Sequence, residues 1–169
     1  NEGTRDTPPA YAPLAERYLA FARRKTLYDQ IRFLDMEGHE IVRVNWNGGR
    51  PESVPANRLQ DKSDRYYVRE TLALKRGEIY VSPMDLNIEH GKIELPLKPT
   101  MRFGAPVFDQ QGHERGVIIL NYLGGNFLGL LRDISKSDRA STHIWLLNAE
   151  GYWILGTRAE DEWGFMFAD

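Results

Sequence analysis

Phe33-Leu34-Asp35-Met36-Glu37-Gly38 is a turn that this chain writes three times. It returns as Val107-Phe108-Asp109-Gln110-Gln111-Gly112 and, more loosely, as Leu146-Leu147-Asn148-Ala149-Glu150-Gly151. Each copy is an apolar pair, then Asp or Asn, two free residues, and Gly. Asp or Asn opens a tight turn by bonding the backbone ahead of it, and Gly supplies the positive φ at the exit. Apolar runs flank each copy, so each predicts a β-hairpin. Three hairpins spaced by helical segments suggest a sheet-based sensor module rather than an enzyme.

Outward from the first hairpin, Tyr28 to Leu34 and Glu40 to Trp46 are its two arms. Upstream, Asn1 to Thr7 is polar, and Leu14, Tyr18, Phe21 and Ala22 recur at helical spacing. This predicts an amphipathic helix from about Pro9 to Thr26. Downstream, Asn47 to Pro51 is a loop, and Pro55 to Leu74 reads as helical with Tyr67, Thr71 and Leu74 on one face. Glu78 to Ser82 is a short strand. Thr100 to Phe108 and Arg115 to Leu123 are the long strands of the second hairpin. Gly124-Gly125 breaks the run, and Asn126 caps a helix from Phe127 to Ile134. Ser135 to Ser141 reads as a polar linker, and the third hairpin runs from His143 to Gly156.

The expected fold is α+β. A long N-terminal helix packs on a five-stranded antiparallel sheet with a helical cap. Met101 to Phe108 and Gly116 to Leu123 are apolar at nearly every position, which predicts strands covered on both faces.

The 169 residues are 41% hydrophobic and 27% charged, ordinary values for a globular protein. The net charge of −2 gives no electrostatic case for nucleic acid or an anionic membrane surface. Without cysteine there is no disulfide, thiol nucleophile or thiolate metal site. His39, His90, His113 and His143 are scattered, and His39 and His113 follow hairpin glycines at exposed turn exits. No metal, cofactor or catalytic residue is expected. A small hydrolase lacks any readable nucleophile–base pair. The apolar stretch from Gly116 to Leu131 is too short and too broken to span a bilayer. The start at Asn1 suggests a piece of a larger protein.

Tyr28-Asp29-Gln30-Ile31-Arg32-Phe33-Leu34-Asp35 and Glu40-Ile41-Val42-Arg43-Val44-Asn45 resemble the extracytoplasmic sensor domains of bacterial membrane receptors. That family is the double Cache type, also called PDC or PAS-like. Ile79 to Asn87, Arg102 to Asp109 and Trp145 to Trp153 carry the same likeness. It is strongest toward sensor histidine kinases, with diguanylate cyclases and chemoreceptors as alternatives. The resemblance implies three parts: an N-terminal helix (1–27), a membrane-distal module (28–132), and a linker with a partial membrane-proximal module (133–169). It also implies a periplasmic location in an inner-membrane protein. A homodimer would form through the N-terminal helix of the membrane-anchored parent. The tail from Thr142 is too short to bury a core of its own.

The family's distal module binds small molecules, often a carboxylate or amino acid, between sheet and cap. Matching positions here are Arg65, Tyr66, Tyr67 and Arg69 on the cap. Tyr80, Ser82, Asp85 and Asn87 follow it, and Arg102 and Asn121 lie on the core strands. The ligand set expected is Arg65, Tyr67, Arg69, Tyr80, Ser82, Asp85, Arg102 and Asn121. A guanidinium holds a carboxylate bidentately, tyrosine adds a ring wall and a hydroxyl, and Asp85 would suit an ammonium group. Arg102 stands in an apolar strand, where a charge needs a partner. Gly104 beside it allows close approach. Each position has a plainer reading. Arg102 could pair with Asp85 or Glu70, Arg65 and Arg69 could be a solvated face, and Tyr66 and Tyr67 could be core or rim. Asp85 and Asn87 could be turn residues. Arg43 reads as exposed or surface-paired. The competing function is a sensor segment without a small-molecule ligand, which reads a partner protein or mediates dimerisation.

Overall fold

The computed structural model describes residues 9–136 and 143–167. The polar start at 1–7 and most of the linker expected over 135–141 lie outside them. The strands in chain order are β1 (Tyr28–Leu34), β2 (Glu40–Asn45), β3 (Glu52–Ser53), β4 (Tyr80–Val81), β5 (Asp85–Leu86) and β6 (Ile88–Glu89). They continue as β7 (Lys92–Ile93), β8 (Pro99–Phe108), β9 (Glu114–Leu123), β10 (Leu146–Leu147) and β11 (Trp153–Leu155). The helices are α1 (Ala12–Arg24), α2 (Tyr66–Leu72), α3 (Gly124–Lys136) and α4 (Gly164–Phe167). The described chain forms two compact units. The first runs to Ser82 and resumes over Arg102–Tyr122. The second comprises Pro83–Met101 and the chain from Leu123 onward. The boundary expected after Arg132 falls inside α3 of the second unit.

In the first unit the antiparallel sheet runs β3-β2-β1-β9-β8-β4. The strands expected from the sequence are present, and the short β3 adds an edge. Asp35 Oδ1 accepts the N–H groups of Glu37 (3.1 Å) and His39 (2.8 Å). Asp109 Oδ1 does the same for Gln111 and His113, both at 2.9 Å. Gly38 and Gly112 both have φ +89°, so the repeated motif is a repeated turn. His39 and His113 lie at exposed turn exits, as expected. At Asp109, desolvation pushes the carboxyl up, but hydrogen bonds from His113 and Arg115 together with the Arg115 charge outweigh it and hold the carboxyl below its usual range.

Pro13 sits in the first turn of α1, where its missing N–H costs nothing. The helix buries Ala15, Tyr18 and Ala22 against Ile31, Phe33, Val42 and Val44. Each fully buried Ile or Val contributes about 1.5–3 kcal/mol relative to exposure. Burial pushes the Tyr18 phenol well above its ordinary range. Arg23 and Arg24 in the last turn suit the carbonyl end of the helix.

Two sequence expectations change here. Residues 55–65 are not helical: a 3-10 turn at Ala56–Arg58 is followed by extended chain. Their backbone is committed elsewhere. Glu40 N–H donates to the Gln60 carbonyl and Lys62 N–H to the Gly38 carbonyl, both at 3.0 Å. Nor are β8 and β9 sealed on both faces. On β9, Val117, Ile119 and Asn121 are buried, whereas Ile118 and Leu120 are half-buried. With Phe103 and Ala105 these line an open groove of about 230 Å³. The 13-residue α1 packs chiefly over β1, β2 and β3, and Ile118 and Leu120 meet only the margin of its cluster.

In the second unit, Asp85 and Leu86 of β5 pair with Thr100 and Pro99. The core gathers Met84, Leu86, Leu128, Ile154, Leu155 and Trp163. The Asn148 turn repeats the pattern, with Oδ1 accepting from Glu150 (3.0 Å) and Tyr152 (2.9 Å), and it joins β10 to β11. The helix expected from Phe127 instead begins at Gly124. A Cβ at Gly124 would lie 3.0 Å from Met84 Cε and 3.3 Å from the Pro99 carbonyl. This glycine therefore permits close packing rather than breaking the run.

Candidate functional site

One face of the first unit's sheet carries polar side chains under α2. Side chains alternate along a strand, so Gln30, Arg32 and Leu34 of β1 share a face. The ladder places Gln30 opposite Asn121 and Arg32 opposite Ile119 and Arg43. α2 lays Tyr67, Val68 and Thr71 over Leu34, Val117 and Ile119. Contact is tight, because a Cβ at Gly104 would fall 2.2 Å from Thr71 Oγ1. The Thr71 side chain itself occupies the space that Gly104 opens.

Arg32 is the centre of this cluster. Its Nε lies 2.9 Å from Glu40 Oε1. Its Nη1 donates to the Tyr67 hydroxyl and to Asn121 Oδ1, both at 3.4 Å. Its Nη2 donates to Gln30 Oε1, which also accepts from Asn121 Nδ2 at 3.0 Å. Glu40 Oε2 accepts the Gln60 N–H at 3.0 Å and faces Arg43 Nη1 at 3.6 Å. Arg43, read from sequence as exposed or surface-paired, is 6% exposed, because β2 is covered where it faces Arg32. Two like charges directly opposite each other repel, and Glu40 is the carboxylate that bridges them.

Tyr67 collects further cations. The Arg102 guanidinium carbon stands 4.7 Å from its ring centroid and that of Arg65 5.9 Å, both within cation–π range. Arg102 N–H donates to Ser82 Oγ at 2.8 Å, and Ser82 N–H returns to the Arg102 carbonyl at 2.9 Å. Tyr80 packs against the same apolar cluster as Tyr67. The structure thus brings together Arg65, Tyr67, Tyr80, Ser82, Arg102 and Asn121 of the expected set. Arg69 is exposed on α2. Asp85 belongs to the second unit, buried in β5. Asn87, also there, donates to Glu94 Oε2 at 2.8 Å.

Sequence reasoning missed Gln30, Arg32 and Glu40. The available signal was the alternation of Gln30, Ile31, Arg32 and Phe33 in a strand flanked by helical segments on both sides. There the polar positions are buried too. Arg32, Tyr67, Arg102 and Asn121 are each no more than 2% exposed. The chemistry on offer is anion recognition: buried guanidinium groups beside a phenol and two carboxamides.

A helix-backed antiparallel sheet with polar groups held beneath a cap defines a PAS-like sensor architecture, and the comparisons with known proteins agree. The pattern of the family described as bacterial histidine kinase, sensor domain, matches residues 6–169. The chain belongs to that family: it is a signal-transduction sensor domain of the histidine-kinase type rather than a catalytic domain. It is similar to the domain of a sensory box/GGDEF family protein from Vibrio parahaemolyticus (27% identity, TM-score 0.74, 91% of this chain and 57% of that one). It is also similar to the extracellular domain of a protein assigned as histidine kinase vpHK1S-Z8 (26% identity, TM-score 0.77, 96% and 57%). The ligand-binding domain of the Campylobacter jejuni chemoreceptor Tlp3, solved with 4-methylisoleucine, shares the fold at 12% identity (TM-score 0.61, 87% and 50%). No curated protein is similar enough to match. The chain spans 57% of the length of each of the first two solved relatives. Among the described residues no helix is long and apolar enough to cross a membrane.

Proposed function

We propose that this chain is the periplasmic, Cache-type sensing region of a membrane-anchored receptor, with a histidine kinase as output. It binds a small carboxylate or amino-acid-like metabolite beneath α2 and signals through α1, paired with its copy in a dimer. The observation that carries this is the gathering of Arg32, Arg65 and Arg102 about the single residue Tyr67. Guanidinium groups held in a dry, fixed geometry recognise carboxylates bidentately. The second unit, whose β10–β11 pair is too small to be stable alone, reads as the opening of a second PAS-like module.

The test is a thermal-shift screen of the chain against small carboxylates and amino acids. A ligand bound to the folded state alone stabilises it by about 2.7 kcal/mol at a hundredfold excess over its Kd. That corresponds to a rise of roughly 5–10 °C for a chain of this size. The rise is expected to vanish in Arg102→Ala. A second reading draws on the burial of Arg32, Tyr67, Arg102 and Asn121. Side chains sealed against solvent also suit a segment that reads a partner protein and takes no metabolite. A flat screen with a well-folded chain selects that reading.

A further inference from the structure

We propose that the contact between Arg32 and Tyr67 is a latch holding α2 on the sheet, and that a ligand carboxylate opens it by taking the place of the Tyr67 hydroxyl on Arg32. This rests on the carboxylate reading above and adds how the site is entered.

The guanidinium is aimed from behind. Glu40, fully buried, fixes Arg32 Nε at 2.9 Å and is itself held by the Gln60 N–H and Arg43. The opposite edge of the guanidinium, Nη1 and Nη2, is thereby turned toward Gln30, Asn121 and Tyr67. These acceptors are neutral oxygens. Two of the bonds, to Tyr67 and Asn121, are 3.4 Å, long for N–H···O hydrogen bonds. A carboxylate on the same nitrogens would add an ionic partner and the bidentate geometry that a guanidinium favours, with shorter bonds than these. Replacing phenol and amide by carboxylate is therefore favourable at this edge.

Of these acceptors, Tyr67 alone belongs to α2, whereas Gln30 and Asn121 are on β1 and β9. α2 has seven residues and no side-chain bond capping its N-terminus. A helix that short depends on what it packs against. Losing the hydroxyl contact loosens this element rather than the sheet, so occupation of Arg32 converts into displacement of the cap. In the absence of ligand the latched state reduces apparent affinity by the fraction of molecules that are open.

Tyr67→Phe tests this. It keeps the ring under Arg102 and in the core and removes the hydroxyl alone. Hydrogen exchange of the full chain is expected to quicken at the α2 amides from Arg69 to Ala73 by roughly three- to tenfold, the size of one lost hydrogen bond. Amides of β1 and β9 should not change. Sodium acetate is the carboxylate probe, against sodium chloride at equal ionic strength. The acetate concentration needed for a given rise in the melting midpoint should fall in the variant by the same factor. Unchanged α2 exchange overturns the latch whatever acetate does. An equal acetate response in both proteins overturns the competition. Faster exchange with no acetate response in either protein locates the failure in the carboxylate reading and overturns the ligand-driven opening with it.

Discussion

Glu40 puts a carboxylate with no solvent exposure between the guanidinium groups of Arg32 and Arg43, at 2.9 and 3.6 Å. Such a bridge is weak grounds for stability against an apolar substitute, yet breaking it by removing one member is costly. Glu40→Gln keeps the shape and the possibility of hydrogen bonds and removes the shared negative charge from two buried cations. The expected loss is about 3–5 kcal/mol in urea unfolding. A loss under about 1 kcal/mol would mean that the bridge is dispensable. Arg102 and Asn121 were legible in the sequence because a polar residue in an apolar strand draws attention. Arg32 and Glu40 were not, because the arms of a hairpin alternate polar and apolar whether or not their polar face is covered. What covers that face is α2, distant in sequence, so the alternation in residues 28–45 becomes informative only when it is read together with the helical segments on either side.

At the scale of elements, the three Asp/Asn-to-Gly turns were readable because their chemistry is local. A carboxylate or amide bonds backbone N–H groups two and four residues ahead, and glycine takes the positive φ. The stretch from Pro55 to Arg65 was misread because its backbone partners lie in the β1–β2 turn, out of sight of any periodicity. The two first-unit turns now separate local from tertiary effects. Gly38 and Gly112 share φ +89°. A Cβ at Gly112 would meet only the flexible end of Arg76, at 3.7 Å, whereas at Gly38 it would lie 2.7 Å from Ser63 Cα. Gly112→Ala is expected to cost about 1–2 kcal/mol, the strain of the left-handed backbone. Gly38→Ala should cost at least about 1 kcal/mol more, since the main chain of the segment leading to α2 must move. Urea midpoints of the two variants measure the difference. Equal midpoints would show that the Ser63 segment yields freely, and the packing argument would fail.

For the molecule as a whole, the two units carry unequal cores. The first has two clusters, one under α1 and one under α2, whereas the second has one cluster built on Met84, Leu86, Leu128, Ile154, Leu155 and Trp163. The second also exposes Phe127, Leu130, Ile134, Trp145, Leu147 and Tyr152. A smaller unit buries a smaller share of its surface and is correspondingly less stable. The chain holds its own reporters for this. Trp145, Trp153 and Trp163 lie in the second unit and Trp46 in the first. In Trp46→Phe, tryptophan emission therefore follows the second unit alone. Its transition in urea is expected to come at lower concentration, and with a shallower slope, than the loss of far-ultraviolet ellipticity, because the slope scales with the surface exposed. Coincident curves would mean that the units unfold as one cooperative block, and the unequal cores would then have no separate thermodynamic meaning.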